Sequence, residues 1–250
     1  MSKFLDSKNC IVTGAGKGIG KDIANLFNAN GANLALITRS KEDVKVLENE
    51  LNQNSKHLIF HGDVSDKDTV QDFVSEAIKK YKKIDVLVNN AGMRFRKSFP
   101  DISYDEYMKV IETNLGSVFL MSKEVIPNMV ENNGGSIINM SSIAGTLGLS
   151  DLSAYISSKS AILGLTKSLA VEFAEKNLKI NAIAPGFIET SYFEDFKDQE
   201  ELYKFTLERT PMNRWGKSNE IAQACLFLAS DMSSFITGET LNIDGGWSAW

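Results

Sequence analysis

Thr13-Gly14-Ala15-Gly16-Lys17-Gly18-Ile19-Gly20 follows an apolar, β-branched run, Asn9–Thr13, and leads into a helix-like stretch from Ile19 to about Ala29. A strand, a glycine turn and a helix in that order predict the opening of a βαβ unit. Glycines there permit a tight turn and let backbone amides approach a pyrophosphate, to which the helix N-terminus adds partial positive charge. The spacing Gly14, Gly18, Gly20 is not the common G-x-G-x-x-G. A glycine turn also has a purely topological reading, which its place after the first strand of such a unit disfavours.

Outward from this turn the same alternation continues to the chain's end. Asn33–Thr38, His57–His61, Ile84–Asn89, Ser136–Met140, Lys179–Ala184 and Thr240–Ile243 read as strands. Between them the pattern predicts a helix capped by Ser40 and running through Leu51, and another capped by Ser65 and reaching about Tyr81. Helices are also expected over about Ser103 to Val130, Ser153–Glu175, Glu194–Arg209 and Ser218–Ala229. Short, continuously apolar strands separated by helices imply right-handed crossovers and a parallel sheet covered on both faces. The expectation is a single-domain α/β fold over residues 1–250, a doubly wound Rossmann-type sheet with a substrate lid at about 190–210.

Bulk properties narrow the function. The 250 residues suffice for one sizeable core, and the composition is that of a globular protein. A net charge of −5 disfavours a nucleic-acid partner. Cys10 and Cys225 lie far apart in apolar segments and read as small core hydrophobes. No secretory leader and no run of about 20 apolar residues is evident, so a cytoplasmic protein without a membrane partner is expected. The two histidines, His57 and His61, flank the third strand and read as structural; no metal chemistry is expected.

The second strand ends Ile37-Thr38-Arg39-Ser40. In such folds an acidic residue at this point holds ribose hydroxyls, whereas arginine accommodates a 2′-phosphate. Arg39 offers a bidentate partner and Lys17 a second cation, so NADP(H) is the expected cofactor. Each basic residue alone is equally readable as a solvated charge.

Tyr155 and Lys159 stand four apart in a helical stretch and therefore on one face, while Ser142 lies just past the fifth strand, at the sheet's carboxyl edge. A neutral tyrosine with a pKa near 10 is a poor base, and bringing it to neutrality takes about 4 kcal/mol of differential stabilisation. A nearby ammonium acts in that direction. Tyr155 would exchange a proton with a carbonyl or alcohol oxygen that Ser142 also holds, while a nicotinamide exchanges hydride. An isolated tyrosine–lysine pair at this spacing is an ordinary helix-surface contact.

The ordered set of motifs gives the pair its meaning. TGAGKGIG at Thr13–Gly20, Asp63-Val64, NNAG at Asn89–Gly92, Asn114, Ser142, Tyr155/Lys159 and PGFIET at Pro185–Thr190 occur in sequence and at family spacing. From about Leu5 to Trp247 the chain strongly resembles the short-chain dehydrogenase/reductase family. The resemblance implies a catalytic set of Asn114, Ser142, Tyr155 and Lys159, with Asn114 holding a water in a proton relay from Lys159. Locally, Asn114 is also readable as a helix-kinking polar residue. The implied cofactor set comprises Gly14, Lys17, Gly18, Ile19, Gly20, Arg39, Ser40, Asp63 and Val64 around adenosine and phosphates. Asn90, Ala91, Gly92, Tyr155, Lys159, Pro185, Gly186, Ile188 and Thr190 would continue it along the cofactor to its nicotinamide. A homotetramer is implied as well. Trp247 and Trp250 are then candidates for burial against a neighbouring subunit or within their own.

Two substrate groups divide the resemblance. Gly186–Thr190 and Ile236–Thr240 resemble 3-oxoacyl-[acyl-carrier-protein] reductases, yet Glu131 and Val171 stand where basic residues for docking an acidic carrier are expected. Met93–Lys97, Thr210–Gly216 and Asp244–Trp247 resemble sugar and sugar-acid dehydrogenases. The primary expectation is therefore a small polar hydroxy/keto substrate, met by Arg94, Arg96, Ser142 and Tyr192. A basic loop that is only solvated is the competing reading. A remoter alternative is a catalytically idle NADP(H)-binding regulator, which the retained Tyr155, Lys159 and Ser142 disfavour.

Overall fold

The computed structural model describes residues 3–51, 56–190 and 193–249. In it, seven strands form one fully parallel sheet: β1 (Asn9–Thr13), β2 (Asn33–Thr38), β3 (Leu58–His61), β4 (Val86–Asn89), β5 (Gly135–Met140), β6 (Leu178–Pro185) and, last in the chain, β9 (Thr240–Ile243). Their spatial order is β3-β2-β1-β4-β5-β6-β9. The chain leaves β3 at one edge and returns beside β1 as β4, so the winding reverses between β1 and β4. Ligands of open α/β sheets bind at the carboxyl ends of strands beside such a reversal.

The strands place alternate side chains on opposite faces. Cys10 and Val12 of β1 join one buried cluster with Phe27 of α1 (Gly18–Ala29) and Leu226 of α9 (Ser218–Ala229). Ile11 joins the other, with Phe73 of α3 (Lys67–Tyr81) and Val125 of α5 (Ser117–Glu131). Both cysteines are buried in the first cluster, where burial pushes their thiols up. His57 is held as the sequence suggests. Its Nδ1 accepts from Leu34 N at 3.0 Å, its Nε2 lies 3.2 Å from Asn28 Oδ1, and burial lowers its pKa to about 4.

Ser40 accepts from Asp43 N at 3.2 Å, capping α2 (Lys41–Leu51) as its sequence position predicts. Three other expectations change. The cap of α3 is Asp66, which accepts from Thr69 N at 2.7 Å, because Ser65 is engaged with Asp63 through both its backbone and its hydroxyl. The helix expected over Ser103–Val130 is interrupted: α4 (Tyr104–Ile111) passes into a wide π turn at Glu112–Gly116 before α5. The helix expected over Glu194–Arg209 is two, α7 (Phe193–Lys197) and α8 (Glu200–Arg209). A short parallel pair not foreseen, β7 (Ile188–Glu189) and β8 (Gly216–Lys217), ties the segment after β6 to the entry of α9.

Candidate active site

The glycine turn is locked to the loop after β4. Gly14 has φ +64, and a β-carbon there would come within 2.9 Å of Ala91 Cα. One on Gly20 would collide with the Gly14 carbonyl. Asn90 Nδ2 donates to Thr13 O at 3.0 Å and Gly14 O at 3.2 Å, while Thr13 Oγ1 accepts from Asn90 N and Ala91 N, each at 3.0 Å. Asn90 thus fixes the shape of the turn as well as lining the cleft beside it.

That cleft, of about 400 Å³, has Lys17, Arg39, Ser40, Asp63 and Val64 at one end. Arg39 Nη1 lies 3.6 Å from Asp63 Oδ2. Burial works to raise the Asp63 carboxyl, but the hydrogen bonds from Ser65 and the Arg39 guanidinium outweigh it and hold the group below its ordinary value. Ile19, Asn90, Gly92, Met93 and Thr190 are shared with a second cleft of about 590 Å³, so the two are continuous.

The second cleft holds Ser142, Tyr155 and Lys159, with Pro185, Gly186 and Ile188 along one wall. Ser142 follows β5 and accepts from Ala144 N at 3.1 Å. Tyr155 and Lys159 lie in α6 (Ser153–Phe173). Lys159 is only 4% exposed, and its Nζ donates to Met140 O at 2.7 Å, 5.7 Å from the Tyr155 ring centre. Burial depresses its pKa to about 8. The Tyr155 phenol is raised above 10, because burial outweighs the opposing hydrogen bond from Ser142 and the Arg94 charge. The expected lowering by the Lys159 ammonium is therefore not realised in the protein alone, and the phenol is held in its neutral form.

Asn114 lies in the π turn and is fully buried. Its Oδ1 accepts from Met93 N at 2.7 Å, and its Nδ2 donates to Met93 O and to Ser158 Oγ, both at 2.9 Å. The side chain thereby ties the loop after β4 to α6, one residue from Lys159. It lies behind the cleft wall rather than on it.

Arg94 and Arg96 reach the mouth of the second cleft, Arg96 3.8 Å from Asp151. Lys97 turns away, both Glu106 carboxylate oxygens lying 2.8 Å from its Nζ. Tyr192 lies outside the described residues, and so does Trp250. Trp247 is buried within its own subunit, its ring 4.8 Å from that of Phe187. Sequence reasoning missed Trp215, which lines the second cleft and packs at 4.9–5.8 Å against Phe187, Phe193, Phe196 and Tyr203, while its indole donates to Thr206. Aromatic residues clustered between β6 and α9 were the available signal.

The family model described as enoyl-(acyl carrier protein) reductase matches residues 14–248. The chain is 40% identical, over 243 residues, to the 3-oxoacyl-[acyl-carrier-protein] reductase FabG of Thermotoga maritima, covering 97% of this chain and 98% of that protein. It is also 40% identical to the enzyme of that name from Chlamydia trachomatis, covering 98% and 99%. Among solved structures, a gluconate 5-dehydrogenase from Burkholderia cenocepacia, in complex with NADP and tartrate, superposes with a TM-score of 0.94 at 30% identity, covering 100% of this chain and 98% of that one.

Proposed function

The chain belongs to the short-chain dehydrogenase/reductase family, and on that premise we propose that it interconverts a secondary alcohol and a ketone with NADP(H), using Tyr155 as the proton donor and acceptor. The carrying observation is one continuous cleft, with a glycine turn and Arg39 at one end and Ser142, Tyr155 and Lys159 at the other. The residues fit the cofactor. Gly14, Gly16, Gly18 and Gly20 line the cleft without side chains, leaving backbone open to a pyrophosphate, and Arg39 and Lys17 supply cations for a 2′-phosphate. NADP(H) supplies or accepts the hydride.

The neutral Tyr155 phenol donates its proton to the carbonyl oxygen, and the Ser142 hydroxyl orients that oxygen. The Lys159 ammonium, held against Met140 O, favours the phenolate left behind. Asn114 positions α6 through Ser158. Residues 1–250 act as one unit, with about 190–210 as its substrate lid around Trp215.

The substrate is a small polar ketone or alcohol of sugar-acid type, its anionic group met by Arg94 and Arg96. The solved gluconate 5-dehydrogenase supports this reading. A second reading, reduction of a 3-oxoacyl thioester on a carrier protein, has the support of the Thermotoga and Chlamydia relatives. NADPH and NADH consumption against keto-sugar acids, ketoses, diketones and an acetoacetyl thioester separates the two. Turnover of a keto acid with the thioester inert is expected. The reverse would install the thioester reading. In the double variant Arg94→Ala/Arg96→Ala, KM for an anionic ketone should rise about 10- to 100-fold, with a neutral ketone little changed. An equal effect on both would remove the arginines from substrate recognition.

The protein works in the cytoplasm as a homotetramer. Val171 of α6 and Phe119 of α5 are 82% and 51% exposed, apolar surface that subunit pairing along these helices covers. Sedimentation is expected to give about four times the chain mass; monomer alone would overturn the assembly.

A further inference from the structure

The corner of the cleft that takes the adenosine 2′ position is less basic than its sequence suggests. Arg39 is already drawn to Asp63. The Ser40 hydroxyl donates to Glu42 at 2.9 Å while accepting from Asp43 N. The Asp43 carboxylate reaches back over the glycine turn. It accepts from Thr38 Oγ1 at 3.3 Å and packs so closely on Gly16 that a side chain there would collide with it. It lines the same cleft as Lys17, Arg39 and Ser40, and among the described residues no lysine or arginine lies within 4.0 Å of it. Two cations therefore share this corner with Asp43 and Asp63.

We propose that Asp43 is a specificity-determining residue for the cofactor, its carboxylate offsetting the attraction of Lys17 and Arg39 for a 2′-phosphate so that the chain accepts NAD(H) alongside NADP(H). Specificity is a difference of affinities, and a fixed like charge lowers the affinity of one ligand alone. Asp63 has a cationic partner that Asp43 lacks, and Glu42 is exposed to solvent. Its charge is anchored by a neutral hydroxyl and is only weakly compensated. The carboxylate also lies on the backbone that must approach the cofactor.

The inference rests on the adenosine end of the cofactor lying in this cleft. The test is calorimetric titration of the whole protein with 2′,5′-ADP and with 5′-ADP at about 0.15 M salt. These probes differ only in the phosphate at issue and need no turnover. The wild-type protein is expected to favour 2′,5′-ADP by no more than about tenfold. Asp43→Asn, which keeps the shape and the contact with Thr38, should widen that preference by about a further tenfold, chiefly by tighter binding of 2′,5′-ADP. Asp43→Ala should move it in the same direction.

An unchanged ratio in both variants would overturn the proposal. So would equal weakening of both nucleotides, which would make Asp43 only a strut for the glycine turn. A wild-type preference near a thousandfold would overturn it without any variant. Binding of neither nucleotide would remove the cleft assignment and the proposal with it.

Discussion

Tyr155→Phe is expected to lower kcat at least a thousandfold while NADPH affinity stays within a few-fold of the wild type. The substitution deletes one hydroxyl and keeps the ring that sits 5.7 Å from Lys159 Nζ. Proton transfer by a positioned side chain is worth about 10²- to 10⁴-fold, and no other phenol lines the second cleft among the described residues. The Ser142 hydroxyl and the Lys159 ammonium remain, but neither replaces the donor. Ser142 is an alcohol without a base beside it, and Lys159 Nζ is committed to Met140 O at 2.7 Å. The stability cost should be about 1 kcal/mol, the worth of the hydrogen bond with Ser142, and the loss leaves no charge unpaired. Rapid-mixing absorbance at the reduced nicotinamide band, with a fluorescence titration of NADPH, measures both quantities. Unchanged turnover would sink the mechanism. Persistent binding with unmeasurable turnover in the wild-type protein across all ketones would instead favour the idle regulator.

Strand positions and the glycine turn were legible because both depend on local pattern. An apolar run buried on both faces looks the same in sequence as in the sheet, and Gly14 and Gly20 are forced by backbone approaches of a few ångströms. The motif order brought out Ser142, Tyr155 and Lys159, and the fold brings these three to one cleft. What escaped depends on partners distant in sequence. The π turn at Glu112–Gly116 exists where Asn114 bonds Met93 and Ser158, 21 and 44 residues away, and no helical periodicity carries that information. Ser65 and Asp66 are both good caps. The choice fell to Asp66 because Asp63, two residues before Ser65, captures that serine. In sequence Arg39 is a cation awaiting a phosphate, whereas its ion pair with Asp63 joins the ends of β2 and β3 and needs the sheet to be seen. Asp43 was invisible for the same reason, since Gly16 lies on the far side of β2 in sequence.

Lys159→Met should separate function from stability. Its pKa falls from 10.5 to about 8 through burial, so the folded state disfavours the ammonium that the unfolded chain carries. Above pH 10.5 both states are neutral and the group costs nothing. As pH falls from 10.5 to 8 the unfolded state takes up its proton first, and stability declines. Below pH 8 the cost is constant at about 3 kcal/mol. Methionine of similar length removes that cost and forfeits the charge-assisted bond to Met140 O, worth about 2 kcal/mol. The variant is therefore expected to be about 1 kcal/mol more stable at pH 7, a Tm rise of a few degrees, with the advantage gone by pH 11. Activity moves the other way. Without the ammonium only the Ser142 hydroxyl and the more distant Arg94 charge offset the phenolate that Tyr155 becomes, and kcat/KM should fall about a thousandfold. In the wild-type protein the same group sets the alkaline limb. The kcat/KM for ketone reduction should be level below about pH 8 and lose a factor of ten per unit above it. A profile flat to pH 10, or a variant both inactive and less stable at pH 7, would show that Lys159 is held there for packing and not for its charge.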